Sequence, residues 1–522
     1  MAIGPGAVSR AQAEPPLILA LDVGTSSVRA LLYDAQGHAV EDVADQQLHA
    51  MRETADGGVE TDARPMLSLL EDCIDEVLRR AGPLVKGIAA VAPDTFWHNV
   101  VGVSASGAPL TPVYTWADTR AAAAAEELRA DLDPAAMHAR TGAVLHPSYL
   151  PAKLRWLQDD GPRAPLSSST RARVRHWLSF ADLLGLRFFG HCTTSISMAS
   201  GSGLLDQHTC LWDHDVLRAI PLDPDQLPTL SDEPHRDLRP AYARRWPALA
   251  HIPWFPGWGD GATSNVGAGC VTSDRPALMV GTSGAMRVVR SDRNLAIPSR
   301  LFCYRVDAHR VVIGGALSNG GNLIDWLRAT LRVPEDHAEM EKAVAALPPA
   351  GHGLTMLPFL AGERSPGWKP RARAVIAGLS LHTSSAEIVR AGYETVANRF
   401  ALIHALLKET SRRIGPVTAS GGALLHSPAW LQIMADALGA SVTASAVLEA
   451  SSRGAALLAL EALGTIPNLS ALPAPLGTVY HPRRAHTACY RAEAVRQEAL
   501  YRKLVAPEDS QDVPAWDEES SD

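Results

Sequence analysis

The chain has 522 residues, of which 46% are hydrophobic and 20% charged, and carries a formal net charge of −8. Such a length exceeds what one hydrophobic core covers, so two large domains are expected, and the composition is that of a globular protein. The acidic balance excludes a basic nucleic-acid footprint, no apolar run is long enough to cross a bilayer, and six scattered cysteines without a CxxC pair argue against a disulfide framework or a zinc site. A reducing, cytoplasmic location is the expectation, and the opening MAIGPGAVSRAQAEPP, which lacks a signal peptide's apolar centre, reads as a disordered leader over 1–15.

Leu17 to Gly37 reads as two apolar strands joined by the turn Gly24-Thr25-Ser26-Ser27, with Asp22 just before the turn and Arg29 just after it. A third strand over His38–His49, an amphipathic helix over Arg64–Ala81 and a buried-type strand over Lys86–Ala92 follow, which is the order of an α/β domain. Thr95-Phe96-Trp97-His98 comes next. Ala121–Leu132 is helical on propensity, and in Trp116-Ala117-Asp118-Thr119-Arg120 before it the Trp, Asp and Arg alternate onto one side. The alternative there is that Asp118 or Thr119 is an ordinary N-cap. Arg140–Leu157 is a loop leading into a helix, Ser179–Leu205 a helix followed by a run of small residues, and Pro221–Pro256 loops and short elements. Pro256–Gly269, containing Gly259-Asp260-Gly261, closes the first half.

The second half repeats the opening: a strand over Ala277–Val280, the turn Gly281-Thr282-Ser283-Gly284 and a strand over Ala285–Arg290, which suggests an internal duplication. A glycine cluster that includes Gly320 precedes a helix over Asn322–Leu331, and a long helix covers Ser385–Ile414. The strand Val417–Ser420 runs into Gly421-Gly422-Ala423, and helices follow over Pro428–Leu438, Ser452–Leu463 and Ala492–Val505. The acidic PEDSQDVPAWDEESSD at the end has the composition of a disordered tail. The expected division is a first domain over 16–269, a second over 270–480, and a terminal helix and tail over 481–522.

Turns of Gly, Thr and Ser gather backbone N–H groups and hydroxyls as a phosphate requires, and a strand ending in two glycines before a helix lets a nucleotide lie against the backbone. A carboxylate beside a phosphate turn repels its ligand unless a hard cation lies between, so Asp22 is the candidate Mg²⁺ holder. Transfer of a γ-phosphoryl group also needs a carboxylate base, and Asp260, between two glycines, is the best placed. A polar hairpin turn at Gly24 and a Gly-Asp-Gly turn without catalytic role are the plainer readings.

DVGTSSVR, WADTR, GDGATSNVG, GTSGAMR and SGGALLHSPAWLQIMADALG, in this order from about Leu17 to Ala459, resemble the successive motifs of the FGGY carbohydrate kinases. The resemblance implies an α/β, two-domain actin-like ATPase (ribonuclease H-like) fold with a cleft between the domains, ATP and Mg²⁺ as cofactors, and a small sugar or sugar acid as substrate. It implies that Gly24, Thr25, Ser26 and Ser27 together with Gly281, Thr282 and Ser283 contact the ATP phosphates, and that Gly421, Gly422 and Ala423 lie against adenosine, with Gly320 among the nucleotide contacts. Asp260 becomes the general base, and Trp97, His98, Trp116, Asp118 and Arg120 the sugar contacts. Within the family, TWADTRA, SNGGNLIDWLR, PFLAGERSPGW and the TG…HP…AKLRWL segment resemble gluconate kinases more than glycerol or xylulose kinases. An aldonate's carboxylate calls for cationic donors, for which Arg120, His98 and Lys153 are available. Trp97, where many members have a smaller side chain, narrows the expected pocket, and Ser148-Tyr149 counts against glycerol. An actin-like ATPase without a sugar, a silent sugar-binding protein and a kinase for another polyol or ketose are the competing readings, and the assembly state, a homodimer included, is left open.

Overall fold

The computed structural model describes residues 6–161, 164–291, 295–411 and 413–506. The elements that position the site are, in chain order, β1 (Leu17–Val23), β2 (Ser27–Tyr33), β3 (Ala39–Leu48), α1 (Ala63–Ala81), β4 (Ile88–Thr95), β5 (Trp258–Gly259) and α2 (Asp260–Gly267). They continue with β6 (Ala277–Val280), β7 (Gly284–Arg290), β8 (Val311–Leu317), α3 (Gly321–Thr330), α4 (Ser385–Thr410), β9 (Val417–Ser420), β10 (Val442–Ser445), α5 (Ala450–Ala462), β11 (Leu476–Tyr480) and α6 (Arg484–Leu504).

The chain forms two compact units that do not follow its two halves: Met1–Val271, Val289–Ile313 and Ala446–Pro475 make the first, and Thr272–Val288, Gly314–Ser445 and Leu476–Asp522 the second. The first unit is built on a sheet in the order β5-β4-β1-β2-β3. β2 runs antiparallel to β1 and β3, whereas β4 is parallel to β1 and β5 parallel to β4. β1 is buried at all seven residues because the sheet is covered on both faces, which is why LILALDV shows no polar alternation. On one face Leu17, Leu19 and Leu21 join Met66, Leu70 and Ile74 of α1 in the core. α5 lies against β1 and β4. α5 thus belongs to the first unit although the chain reaches it late, through its packing on those strands and on α2.

The second unit repeats the arrangement around the order β8-β7-β6-β9-β10, with β6 antiparallel to β7 and parallel to β9, and β9 parallel to β10. β11 adds an antiparallel edge to β10. The duplication expected from the two Gly-Thr-Ser hairpins is therefore carried by strand order, each hairpin supplying the two strands at the start of its sheet. α4 opens with a capping box in which the Ser384 side chain accepts from Glu387 N and the Glu387 carboxylate accepts from Ser384 N.

Several sequence expectations change. Residues 6–15 of the expected disordered leader are placed: Val8 N donates to Ala39 O at 3.0 Å and Glu41 N to Val8 O at 2.9 Å, because β3 offers an unpaired edge there. β4 runs on through Pro93-Asp94-Thr95, which has turn composition, because those residues continue its pairing with β1. Gly259-Asp260-Gly261 is a strand end and helix start rather than a turn. α6 begins at Arg484, eight residues before the expected start at Ala492. The acidic tail from Pro507 lies outside the described residues.

Candidate active site

The register of the first sheet places Trp258, Asp94, Asp22 and Arg29 side by side on β5, β4, β1 and β2. Two residues beyond Trp258, Asp260 opens α2, where the free N–H groups of the first turn favour a carboxylate; its Oδ1 accepts from Gly261 N at 2.7 Å. Arg29 Nη1 donates to Asp22 Oδ2 at 3.1 Å and lies 3.3 Å from Glu449 Oε2. Burial raises the Asp22 carboxyl above its ordinary value in spite of Arg29. Burial, with the charges of Asp22 and Asp260, raises Asp94 well above the carboxylate range, and burial pushes Glu449 up to about 7. The row therefore holds more buried acid than base. All its acceptors are hard oxygens, which fits a Mg²⁺ carried with a nucleotide.

α2 is tied to α5 by two glycines. A Cβ on Gly267 would run into Ala450 O, and one on Gly454 into Thr263 O, so the helices cross at backbone contact. Arg453 Nη1, on α5, caps the end of α2 by donating to Gly267 O at 2.8 Å. The result fixes the start of α2, and with it Asp260.

Trp97 and His98 follow β4 directly. Trp97 is 4% exposed, its Nε1 donates to Ser197 O at 3.0 Å, and Gly201 and Gly259 lie too close to its indole to carry a side chain. The indole N–H is thus already used within the protein, and Trp97 forms a wall. His98 has φ of 60°, a left-handed conformation unusual for a residue with a Cβ, and its Nδ1 pairs with Gly201 O. Its ring meets those of Tyr149 and Tyr304 edge-on at 4.8 and 5.2 Å, and the two tyrosine hydroxyls are 2.5 Å apart.

Asp118 and Arg120 come together as expected, but with each other. Arg120 Nε donates to Asp118 Oδ1 at 3.1 Å and Nη2 to Oδ2 at 2.5 Å, while Glu60 also accepts from Nη2. The guanidinium lies 5.1 Å from the Trp156 ring centre. Asp118 is not an N-cap: the helix Ala122–Asp131 has Ala121 at that position without a side-chain bond, and Asp118 Oδ1 instead accepts from Arg120 N at 3.0 Å. Trp116 packs, partly buried, on the core of the first sheet. Lys153 is 1% exposed, donates to Pro147 O, and is lowered to about 7 by burial in spite of the Asp118 charge.

In the first unit, Gly24 N donates to Ser27 O at 2.9 Å and His49 Nε2 pairs with Gly24 O at 3.1 Å, while Ser26 is exposed at the tip. In the second unit the glycine clusters meet at the ends of the parallel strands β6 and β9, where ligands of α/β sheets gather. Gly320 N and Asn322 N donate to Thr282 O at 3.2 and 3.1 Å, and Gly321 N to Gly281 O at 2.8 Å. A Cβ on Gly321 would meet both Gly281 O and the Ala423 side chain. Gly421 has φ of 90°, and a Cβ there would strike the Val280 backbone. Gly281–Ser283, Gly320 and Gly421–Ala423 thus form one surface of backbone. Sequence reasoning missed Asp94, Glu449, Glu60 and Tyr304; the one available signal was an aspartate inside the apolar run IAAVAPDT.

Two family models match the chain: the N-terminal domain of the FGGY family of carbohydrate kinases over residues 17–267 and its C-terminal domain over 277–463. A gluconokinase of Bacillus subtilis is 28% identical over 89% of this chain and 91% of its own. The crystal structure of gluconate kinase from Lactobacillus acidophilus is 25% identical with a TM-score of 0.83, covering 94% of this chain and 98% of that one. A ligand-bound xylulose kinase from the same organism is 26% identical with a TM-score of 0.84, over the same shares.

Proposed function

The chain belongs to the FGGY family of carbohydrate kinases, with their two-domain, actin-like ATPase type of fold, and from that premise we propose that it phosphorylates D-gluconate to 6-phosphogluconate with Mg·ATP. The observation that carries the reaction is Asp260, a carboxylate fixed at the first turn of α2 beside the acidic row. Asp260 takes the proton of the acceptor hydroxyl as that oxygen attacks the γ-phosphorus, and the adenine nucleotide's leaving oxygen departs from it. Asp22 is the residue that would hold Mg²⁺, whose chemistry here is to neutralise phosphate charge. Backbone N–H groups and hydroxyls of Gly24–Ser27 and of Gly281–Ser283 would hold phosphate oxygens, and the side-chain-free surface at Gly320 and Gly421–Ala423 would take adenosine. Trp97 and His98 shape the sugar pocket, with Trp116, Asp118 and Arg120 as its further contacts.

The sugar-acid part is supported by the likeness to gluconokinases and by Lys153, a buried amine near the paired Asp118 and Arg120 that a bound carboxylate would favour in its protonated form. The likeness to xylulose kinase supports a ketose as the second reading. A coupled ADP-release assay over D-gluconate, D-xylulose, L-ribulose and glycerol, with Asp260→Asn in parallel, decides between them. Turnover on gluconate that the variant loses is expected. Turnover on a ketose would discard the aldonate, and ATP hydrolysis independent of sugar and unchanged in the variant would overturn the whole reading.

A further inference from the structure

Asp94 is fully buried, and neither of its carboxyl oxygens has a hydrogen-bond partner. It is the one carboxylate so placed among the described residues. Other buried acids of the first unit are satisfied: Asp34 accepts from the backbone of Gln36 and His38, Asp182 from Ser179 N, and Asp213 from Arg140. A bare carboxylate buried in the protein is too costly to be kept by chance.

Geometry says what would satisfy it. Asp94 and Asp22 are partners on adjacent parallel strands, so their side chains leave the sheet on the same face. Arg29, the cation nearest to both, is already engaged by Asp22 and Glu449. The missing counter-charge must therefore come from a ligand, and an oxygen-only pair of carboxylates selects a hard divalent cation. No group of three or more Asp, Glu, His or Cys side chains among the described residues is arranged to hold a metal by itself. Two carboxylates with phosphate oxygens and water filling the other positions is the arrangement Mg²⁺ favours.

We propose that Asp94 shares with Asp22 the seating of the nucleotide's divalent cation, as a second carboxylate from the neighbouring strand. This rests on the reading of the chain as a metal·ATP-dependent kinase. It places the cation one strand nearer to Asp260 than Asp22 alone would, on the side of the row where the acceptor hydroxyl is deprotonated.

The test is Mn²⁺ binding to the full chain, read as loss of the free-ion electron paramagnetic resonance signal in the presence of ADP, for the wild type, Asp94→Asn and Asp94→Ser. Wild type is expected to take up one Mn²⁺, and both variants to bind it at least tenfold more weakly. Thermal unfolding is the second readout: added Mn²⁺ should raise the wild-type Tm, while the variants should start from a higher metal-free Tm and respond little. Mn²⁺ affinity unchanged in either variant, no Mn²⁺ uptake by wild type, or variants that are less stable than metal-free wild type would each overturn the proposal. Failure of the kinase reading looks different: Mn²⁺ would bind as described, yet wild type would transfer phosphate to no sugar.

Discussion

Two clusters of buried charge, one in each unit, are built in opposite ways. In the second unit, Glu394 on α4 is 1% exposed yet accepts from Arg390 Nε at 2.6 Å, His352 Nε2 at 3.0 Å and the Tyr490 hydroxyl at 3.0 Å. Burial raises that carboxyl, but the hydrogen bonds from His352 and Arg390 outweigh it and hold its pKa below the usual glutamate value. Glu363 is likewise paired with Arg399 and with the Tyr501 hydroxyl at 2.6 Å, which anchors α6. In the first unit, Asp22 and Glu449 share the single guanidinium of Arg29, and the buried Asp94 beside them has no hydrogen-bond partner. A network in which each carboxylate has its cation serves the fold; a row left short of positive charge is one that a ligand completes.

That contrast can be broken in order of expected effect. Asp260→Asn should lower kcat ~10²- to 10⁴-fold while sugar still binds, as measured by initial rates and by isothermal titration. In the paired network, Arg399→Met strands Glu363 and should lower the urea-unfolding free energy by ~3–5 kcal/mol, the opposite sign to the gain expected from removing the Asp94 carboxylate without metal. Gly454→Ala forces α5 off α2 and should cost ~1–3 kcal/mol, and because Asp260 starts α2, kcat should fall together with Tm. The smallest effect is one of pH. Lys153 is lowered from 10.5 to about 7, so between those values the unfolded chain binds more protons and wild-type stability should rise with pH. The slope is at most ~1.4 kcal/mol per pH unit, and Lys153→Met should flatten it in denaturation curves taken at pH 7 to 10.

Local chemistry made much of this legible. Apolar strands around Gly-Thr-Ser turns gave away both hairpins, and the spacing of Met66, Leu70 and Ile74 gave α1, because period and turn residues are properties of short stretches. Asp94 was hidden by the same logic: Ala-Pro-Asp has turn composition, and only the pairing of Pro93 with Leu21 shows that β4 continues through it. That Asp22 and Asp94 are neighbours is a matter of register between strands separated by a helix, which no local pattern encodes. Arg120 reads as a free cation in sequence and as a partner of Asp118 and Glu60 in three dimensions. Gly320 reads as a nucleotide contact only through the family resemblance, whereas in three dimensions the Ser283 backbone leaves no room there for a Cβ.

The late return of α5 to the first unit bears on how the protein is made. As the chain leaves the ribosome, β1, β4 and α2 are complete long before Ala450–Ala462 is synthesised. At ~5–20 residues per second, the sheet face that α5 covers stays open for on the order of ten seconds or more. The first unit is therefore finished only after most of the second has been translated, and until then its sheet face is exposed apolar surface.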